Sequence, residues 1–315
     1  MQALQQRAEL LHRVRAYFAA AGVLEVDTPL LSQAGITDPH IPSFTTRPGR
    51  VEDTPRYLNT SPEFAMKRLL AAGSGPIYQV CKAFRQGEQG CFHNPEFTLL
   101  EWYRPGFDHH RLMADVSDLV TTLAAGYRSL GAVEKLSYAE CFQQHLGIDP
   151  HSVQGAQLKA CAQAQGLAPV AGLADDDRDG WLDLLMSHCI QPRLGRERLT
   201  FVYDYPASQA ALAQLRPGPP PLAERFELFV DGVELANGFH ELQDAEEQRT
   251  RFAAEAAHRH DEKMEPVVVD ERLLAALEIG LPDCAGVALG LERLQMVLMG
   301  ASTIDQVLTF PYDRA

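Results

Sequence analysis

The sequence predicts an α+β fold, an antiparallel β-sheet flanked by helices, on three observations. Gly75 to Arg85 (GPIYQVCKAFR) and Glu96 to Arg104 (EFTLLEWYR) both alternate like strands, and the QGEQGCFHNP stretch between them is full of turn formers, so the two read as a long hairpin with a wide loop. Glu224 to Asp231 and Val233 to Ala236 read as a second antiparallel pair around the tight turn Asp231-Gly232. Strand and helix patterns do not alternate as βαβ units, which argues against a parallel sheet.

The elements follow in order. Residues 1–18 (MQALQQRAELLHRVRAYF) read as an amphipathic helix with Leu4, Leu10, Leu11, Val14, Tyr17 and Phe18 near one stripe. Gly22 to Val26 is a short strand ended by Asp27, Thr28 and Pro29. Residues 108–190 are mainly helical by pattern, and Thr200 to Tyr205 returns to strand. Arg216-Pro-Gly-Pro-Pro-Pro221 reads as a stiff surface linker between two folded segments. Asp244 to His260 is a polar helix, and Cys284 to Leu289 is a strand that runs through Gly290 into a helix from Leu291 to Met299.

With 315 residues, 46% hydrophobic and 22% charged, the chain can bury a sizeable core and has the balance of a water-soluble enzyme. No apolar run reaches the ~18 residues of a membrane helix. The N-terminus lacks the apolar core and cleavage site of a signal peptide. None of the six cysteines forms a CxxC pair, so they read as free thiols of a cytoplasmic protein. The net charge is −14 and no basic stripe is visible, so nothing in the composition calls for nucleic acid.

Three elements carry chemistry. Period-2 geometry puts Glu101 and Tyr103 on one face of their strand, with Arg85 beside the loop. This is either a solvated face with an ion pair or a site that holds a zwitterion and a phosphate, for which the planar fork of arginine is suited. Glu227 and Glu234 flank the Asp231-Gly232 turn, where strands can bring two carboxylates together; such a pair either lies exposed on strand edges or repels unless a cation sits between them, and oxygen ligands that leave room for phosphate suit Mg²⁺. In Gly286-Val-Ala-Leu-Gly-Leu-Glu-Arg293, Gly290 lets the backbone approach closely, and Arg293 lies in a first helical turn that favours an anion.

Taken in order, these elements resemble the three motifs of class II aminoacyl-tRNA synthetases: GVLEVDTP at 22–29, Phe84-Arg85 through Glu101, and GVALGLER ending at Arg293. The strings TSPEF at 60–64, HNPEFT at 93–98 and ELANGFHEL at 234–242 are closest to the lysyl branch. The resemblance implies a single class II catalytic domain over 1–315, with a mainly helical insertion at about 106–198 and no N-terminal OB-fold that reads an anticodon. Ala288 stands where lysyl-tRNA synthetases carry glycine. With Trp102-Tyr103-Arg104 and His240, it makes the chain similar to the elongation factor P β-lysine ligase family, whose members attach (R)-β-lysine to a lysine side chain of elongation factor P.

That resemblance implies two steps: ATP-dependent formation of an aminoacyl-adenylate, then transfer to a protein lysine. By it, Arg85 bridges carboxylate and α-phosphate, and Arg293 sits at the γ-phosphate. Glu227 and Glu234 hold Mg²⁺. Gln86, Gly87, Glu88, His93, Asn94, Leu235 and Gly290 line the ATP pocket with Glu234. Ser61 and Glu63 meet the backbone-side amine of the substrate, and Glu101, Tyr103, Asn237 and Glu241 surround its side-chain ammonium. The family's Arg-x-Glu is spaced here as Arg85-Gln86-Gly87-Glu88, so either Glu88 or backbone at Gly87 contacts adenine. Ala288 is either part of the amino-acid pocket, fitting β-lysine, or a small residue packed under the strand. The family also implies a homodimer, a supply of (R)-β-lysine from a lysine 2,3-aminomutase, no membrane association and no stable tRNA binding. The alternatives are a short lysyl-tRNA synthetase and a catalytically inactive paralogue that acts as a binding subunit.

Overall fold

Spacing alone explains the first helix. Leu10, Val14 and Phe18 recur every four residues and are all buried, whereas Leu4 falls off that stripe and is 44% exposed. This helix, α1 (Gln2–Ala20), docks through Phe18, whose ring stacks on Tyr78 at 4.3 Å and meets Trp102 edge-on at 5.5 Å. The computed structural model describes residues 2–47, 49, 54–168 and 172–315. Its contacts divide the chain into two compact units, Met1–Asp108 with Glu241–Ala315, and His109–His240.

In the first unit, β1 (Leu24–Glu25), β2 (Leu31–Ser32), β3 (Thr45–Thr46), β4 (Arg56–Leu58), α2 (Glu63–Ala71), β5 (Ile77–Phe84) and β6 (Glu96–Pro105) follow α1. The expected hairpin is β5–β6, in unbroken register from Ile77–Tyr103 to Phe84–Glu96. The second unit contains α3 (His109–Ala124), β7 (Glu134–Ser137), α4 (Tyr138–Leu146), α5 (Gly155–Ala164), α6 (Arg178–Leu185), β8 (Thr200–Pro206), β9 (Leu215–Arg216), β10 (Leu222–Val230) and β11 (Val233–His240). The chain then returns to the first unit with α7 (Ala245–Asp261), α8 (Glu271–Ile279), β12 (Cys284–Gly290) and α9 (Leu291–Met299).

The first unit's sheet runs β1-β5-β6-β12, and a small separate sheet runs β2-β4-β3; in the second unit the order is β11-β10-β8-β7, with β9 on β10. The sheets are mixed, not wholly antiparallel, because β1 pairs with β5 and β7 with β8 in parallel. Asp231 and Gly232, both at positive φ (49° and 77°), make the tight turn between β10 and β11. One expectation fails. The proline-rich stretch is not a linker: β9 pairs back onto Leu222 and Ala223 of β10, so residues 217–221 are the exposed turn between two paired strands. The second unit buries Tyr138, Phe142, Trp181, Leu182, Leu185 and Phe229 in its core.

Candidate active site

The substrate-side residues converge in the first unit. The Ser61 hydroxyl donates to Glu101 Oε2 at 2.7 Å and accepts from the Glu63 backbone N–H at 3.0 Å, so the start of α2 is tied to β6. The Tyr103 hydroxyl donates to the other oxygen, Oε1, at 2.8 Å. One turn into α2 stands Lys67, whose Nζ lies 2.7 Å from Glu63 Oε1 and 2.6 Å from Glu241 Oε2. Lys67, Glu101 and Glu241 are each exposed by 2% or less. The solvated-face reading of Glu101 and Tyr103 is therefore excluded.

Strand β12 forms the floor beside them. Its register sets Gly286 opposite Tyr103 and Ala288 opposite Glu101, and directly paired residues share a face. A Cβ on Gly286 would collide with the Tyr103 ring and Glu241 Oε1. The first glycine of GVALGLER is thus what lets Tyr103 and Glu241 come together. Ala288, half-buried, adds its methyl beside Glu101. Toward Ser61 and Glu63 a cavity of about 300 Å³ opens, bordered also by Asn59, Thr60 and Arg68.

The electrostatics select for cations. Two carboxylates, Glu63 and Glu241, hold one ammonium, Lys67, and a third, Glu101, stands near enough for both to repel it. Burial alone would lower the pKa of Lys67, but Glu241 and Glu63 outweigh it and hold the amine charged. Burial pushes the Glu101 carboxyl up to about 8, and repulsion from Glu63 and Glu241 adds to this, while the hydrogen bonds from Ser61 and Tyr103 oppose it. At pH 7 Glu101 therefore holds a proton, and an arriving ammonium, which needs the carboxylate, must displace it. The KM for a cationic amino acid should fall as pH rises from 6 to about 8, by at most about tenfold per pH unit, and level off above. ATP–pyrophosphate exchange across that range checks this. Glu101→Gln should flatten the profile, and a flat wild-type profile would show that Glu101 is already ionised.

The phosphate-side arginines are differently held. Among the described residues the side-chain contacts of Arg85 are long, 3.4 Å to Thr60 O and 3.4 Å to Glu88, with its guanidinium over the Phe97 ring. Glu88 therefore turns toward Arg85. Gly87 sits at φ 83°, a conformation that favours glycine, and the Gln86 N–H donates to Pro42 O. Arg293, in the first turn of α9, reaches His93 Nε2 at 2.6 Å and Phe92 O at 3.2 Å. Gly290 precedes that turn, and a Cβ there would make only ordinary contacts with Arg293. The Asn94 amide bridges within the unit, donating to Glu96 O and accepting from the Tyr312 N–H.

The second unit carries the remaining residues. Glu227 pairs with Asn237 and Phe229 with Glu234, so both glutamates lie on the paired strands β10 and β11. Burial raises the Glu227 carboxyl to about 7, with Glu234 and Asp183 adding repulsion and Arg225 and Tyr205 opposing. That repulsion is what a divalent cation would relieve. Arg225 already holds Glu227 Oε1 at 2.5 Å, and its Nε donates to Asn237 Oδ1 at 3.2 Å. In this unit Asn237 is thus a partner of Arg225. Leu235 is buried.

The sequence profile for class II tRNA synthetases (D, K and N) matches residues 1–314. The chain belongs to this family. It is 49% identical to the elongation factor P–(R)-β-lysine ligase of Vibrio vulnificus, over 98% of this chain and 95% of the relative. It is 48% identical to the protein of that name from Klebsiella pneumoniae (99% and 95%) and 49% to that from Vibrio cholerae (99% and 96%).

Within this class II synthetase core, several residues were not singled out from sequence. Lys67 has only its position four after Glu63 to mark it, and such pairs are common on exposed helices. Glu292 looks like a surface charge before Arg293. It is 4% exposed, accepts from the Thr98 N–H at 2.8 Å and pairs with Arg7 of α1, so it anchors the third motif to β6 and α1. Arg225 reads as an ordinary strand arginine, yet it sits over the Tyr205 ring at 4.5 Å.

Proposed function

We propose that this protein activates (R)-β-lysine with ATP and transfers it to a lysine side chain of elongation factor P. The observation that carries this is the charge the pocket offers a cation: Glu63, Glu241 and Glu101 stand beside one ammonium, and once an arriving ammonium has displaced the Glu101 proton they leave two negative charges, which suits a substrate with two ammonium groups. A buried ammonium needs such partners, or its desolvation is prohibitive. The family membership supplies the chemistry, and relatives alike over nearly their full length bear this name.

In the first step the substrate carboxylate attacks the α-phosphorus in line. The new acyl–phosphate bond forms as the bond to pyrophosphate breaks. In the second, the neutral lysine ε-amine attacks the acyl carbon, AMP leaves, and the nitrogen gives up a proton as the amide forms. Neither step needs a nucleophile from the enzyme. Positioning and charge stabilisation suffice. Arg85 takes the carboxylate and α-phosphate, and Arg293 with His93 takes the far phosphates. Glu227 and Glu234 fit a Mg²⁺ ion through their mutual repulsion, with Arg225 as its competitor. Glu63 and Ser61 receive the amine nearest the carboxylate, and Glu101, Tyr103 and Glu241 the distal one.

Ala288 is the residue we assign to choice between isomers. Its methyl lies on the face of Glu101, where glycine would leave space. Crowding of that kind costs roughly 1–3 kcal/mol and gives about 10- to 200-fold discrimination. Ala288→Gly should raise kcat/KM for α-lysine and change it little for β-lysine. An unchanged ratio would remove Ala288 from the specificity argument.

We also infer a homodimer, since Leu24, Leu30 and Leu31 around the first motif are 58%, 39% and 52% exposed. All six thiols are unpaired, as suits the cytoplasm, and no described helix is long and apolar enough to cross a membrane. An aminomutase would supply the β-lysine. The reading is tested by ATP–pyrophosphate exchange with (R)-β-lysine, α-lysine and norleucine. Exchange with norleucine as fast as with β-lysine would overturn the two-ammonium pocket.

A further inference from the structure

The second unit holds a cluster that the reaction does not use. His109 opens α3 and is 1% exposed. Glu224 and His240 lie one step beyond the Arg225–Phe239 pair of β10 and β11, with His240 Nδ1 and Glu224 Oε2 2.5 Å apart. One donor atom from each of His109, Glu224 and His240 lies within 4.8 Å of the others. Asp204 joins from β8, at φ 60°, a strained conformation for a residue other than glycine. Its Oδ1 is 3.4 Å from His109 Nε2.

This cluster is incompletely satisfied. Among the described residues, both His109 ring nitrogens and Asp204 Oδ1 are buried and no well-formed hydrogen bond reaches them; Nε2 and Oδ1 have each other as an ion-pair contact at 3.4 Å. A buried polar atom left so costs roughly 1–3 kcal/mol, and an ion bound to one His109 nitrogen and to Asp204 would relieve two of the three. Arg216 sits on the outer oxygens, at 2.5 Å from Asp204 Oδ2 and 3.7 Å from Glu224 Oε1. It thereby leaves Asp204 Oδ1 and Glu224 Oε2 facing the imidazoles. Outer partners that orient ligating carboxylates in this way are common around metal ions.

We propose that His109, Glu224 and His240, with Asp204 as fourth ligand, bind a divalent ion of the zinc class that clasps the start of α3 to β8, β10 and β11. Two imidazoles and two carboxylates suit zinc, cobalt or nickel better than magnesium, which prefers oxygen and water. Bonds of about 2.0–2.2 Å require the donors to close in, a rotamer adjustment of roughly 1 Å. Two carboxylates and one guanidinium leave one negative charge to meet the cation.

The test uses the full chain, stripped with a chelator and titrated with Zn²⁺ or Co²⁺. Expected are stoichiometric binding at micromolar metal, a raised melting temperature, and the visible bands of tetrahedral cobalt without thiolate charge transfer. His109→Leu and Glu224→Gln should each weaken binding by more than about tenfold. Folding of both variants is checked by circular dichroism, and the pair keeps the test open should one fail to fold. No stoichiometric binding, thiolate bands, or unchanged affinity in the folded variants would overturn the site.

Discussion

Lys67→Met should cripple both the pocket and the fold around it. The ammonium lies within 2.7 Å of both Glu63 and Glu241 and is 2% exposed. Without it, two recognition carboxylates face each other and Glu101 in a buried space. Removing one partner of a buried ion pair costs about 3–5 kcal/mol, because the charges left behind are uncompensated. At a few degrees per kcal/mol, the melting temperature should drop by on the order of 10 °C. The carboxylates would relieve the strain by taking up protons, and a protonated carboxyl no longer competes for an ammonium. The KM for the amino acid should therefore rise much more than the KM for ATP. Differential scanning calorimetry and exchange kinetics read the two effects separately. An unaltered melt would show that Lys67 merely fills space. Lys67→Arg should not restore the wild type, since the guanidinium needs more room than a site closed on a point charge provides.

Arg85→Ala should give the opposite signature. Its hydrogen-bonding contacts are long and its side chain half-buried, so little stability depends on it. A guanidinium that loosely held is available to a ligand. If it neutralises the charge that develops between carboxylate and α-phosphate, its loss should lower the exchange rate by about 10²–10³-fold. The melting temperature should move by less than 2 °C or so, in keeping with a site away from core packing. A rate within about threefold of wild type would remove Arg85 from the transition state.

The sequence reveals the strands of this protein more readily than its pocket. Alternation in β5 and β6 places Glu101 and Tyr103 on one face, and the Asp231-Gly232 dipeptide marks its turn, because both signals are local. Lys67 carries no local signal. Its importance comes from Glu241, 174 positions away, which only tertiary packing brings to it. Gly286 is similar: its need for a bare Cα arises from Tyr103 and Glu241, not from its own backbone angles. The proline-rich stretch misleads for the converse reason. Its composition is that of a linker, but Leu215 and Arg216 before it find partners in β10. The parallel pairing of β1 with β5 was equally hidden, since two residues are too few for a pattern.

If the chain joins a diamino acid to a protein, the mass of the acceptor reveals it. Purified protein with ATP, Mg²⁺ and (R)-β-lysine should raise the intact mass of elongation factor P by one β-lysyl group on a single lysine. A parallel reaction with tRNA in place of elongation factor P should give no stable aminoacylation. Unchanged elongation factor P together with charged tRNA would contradict the account.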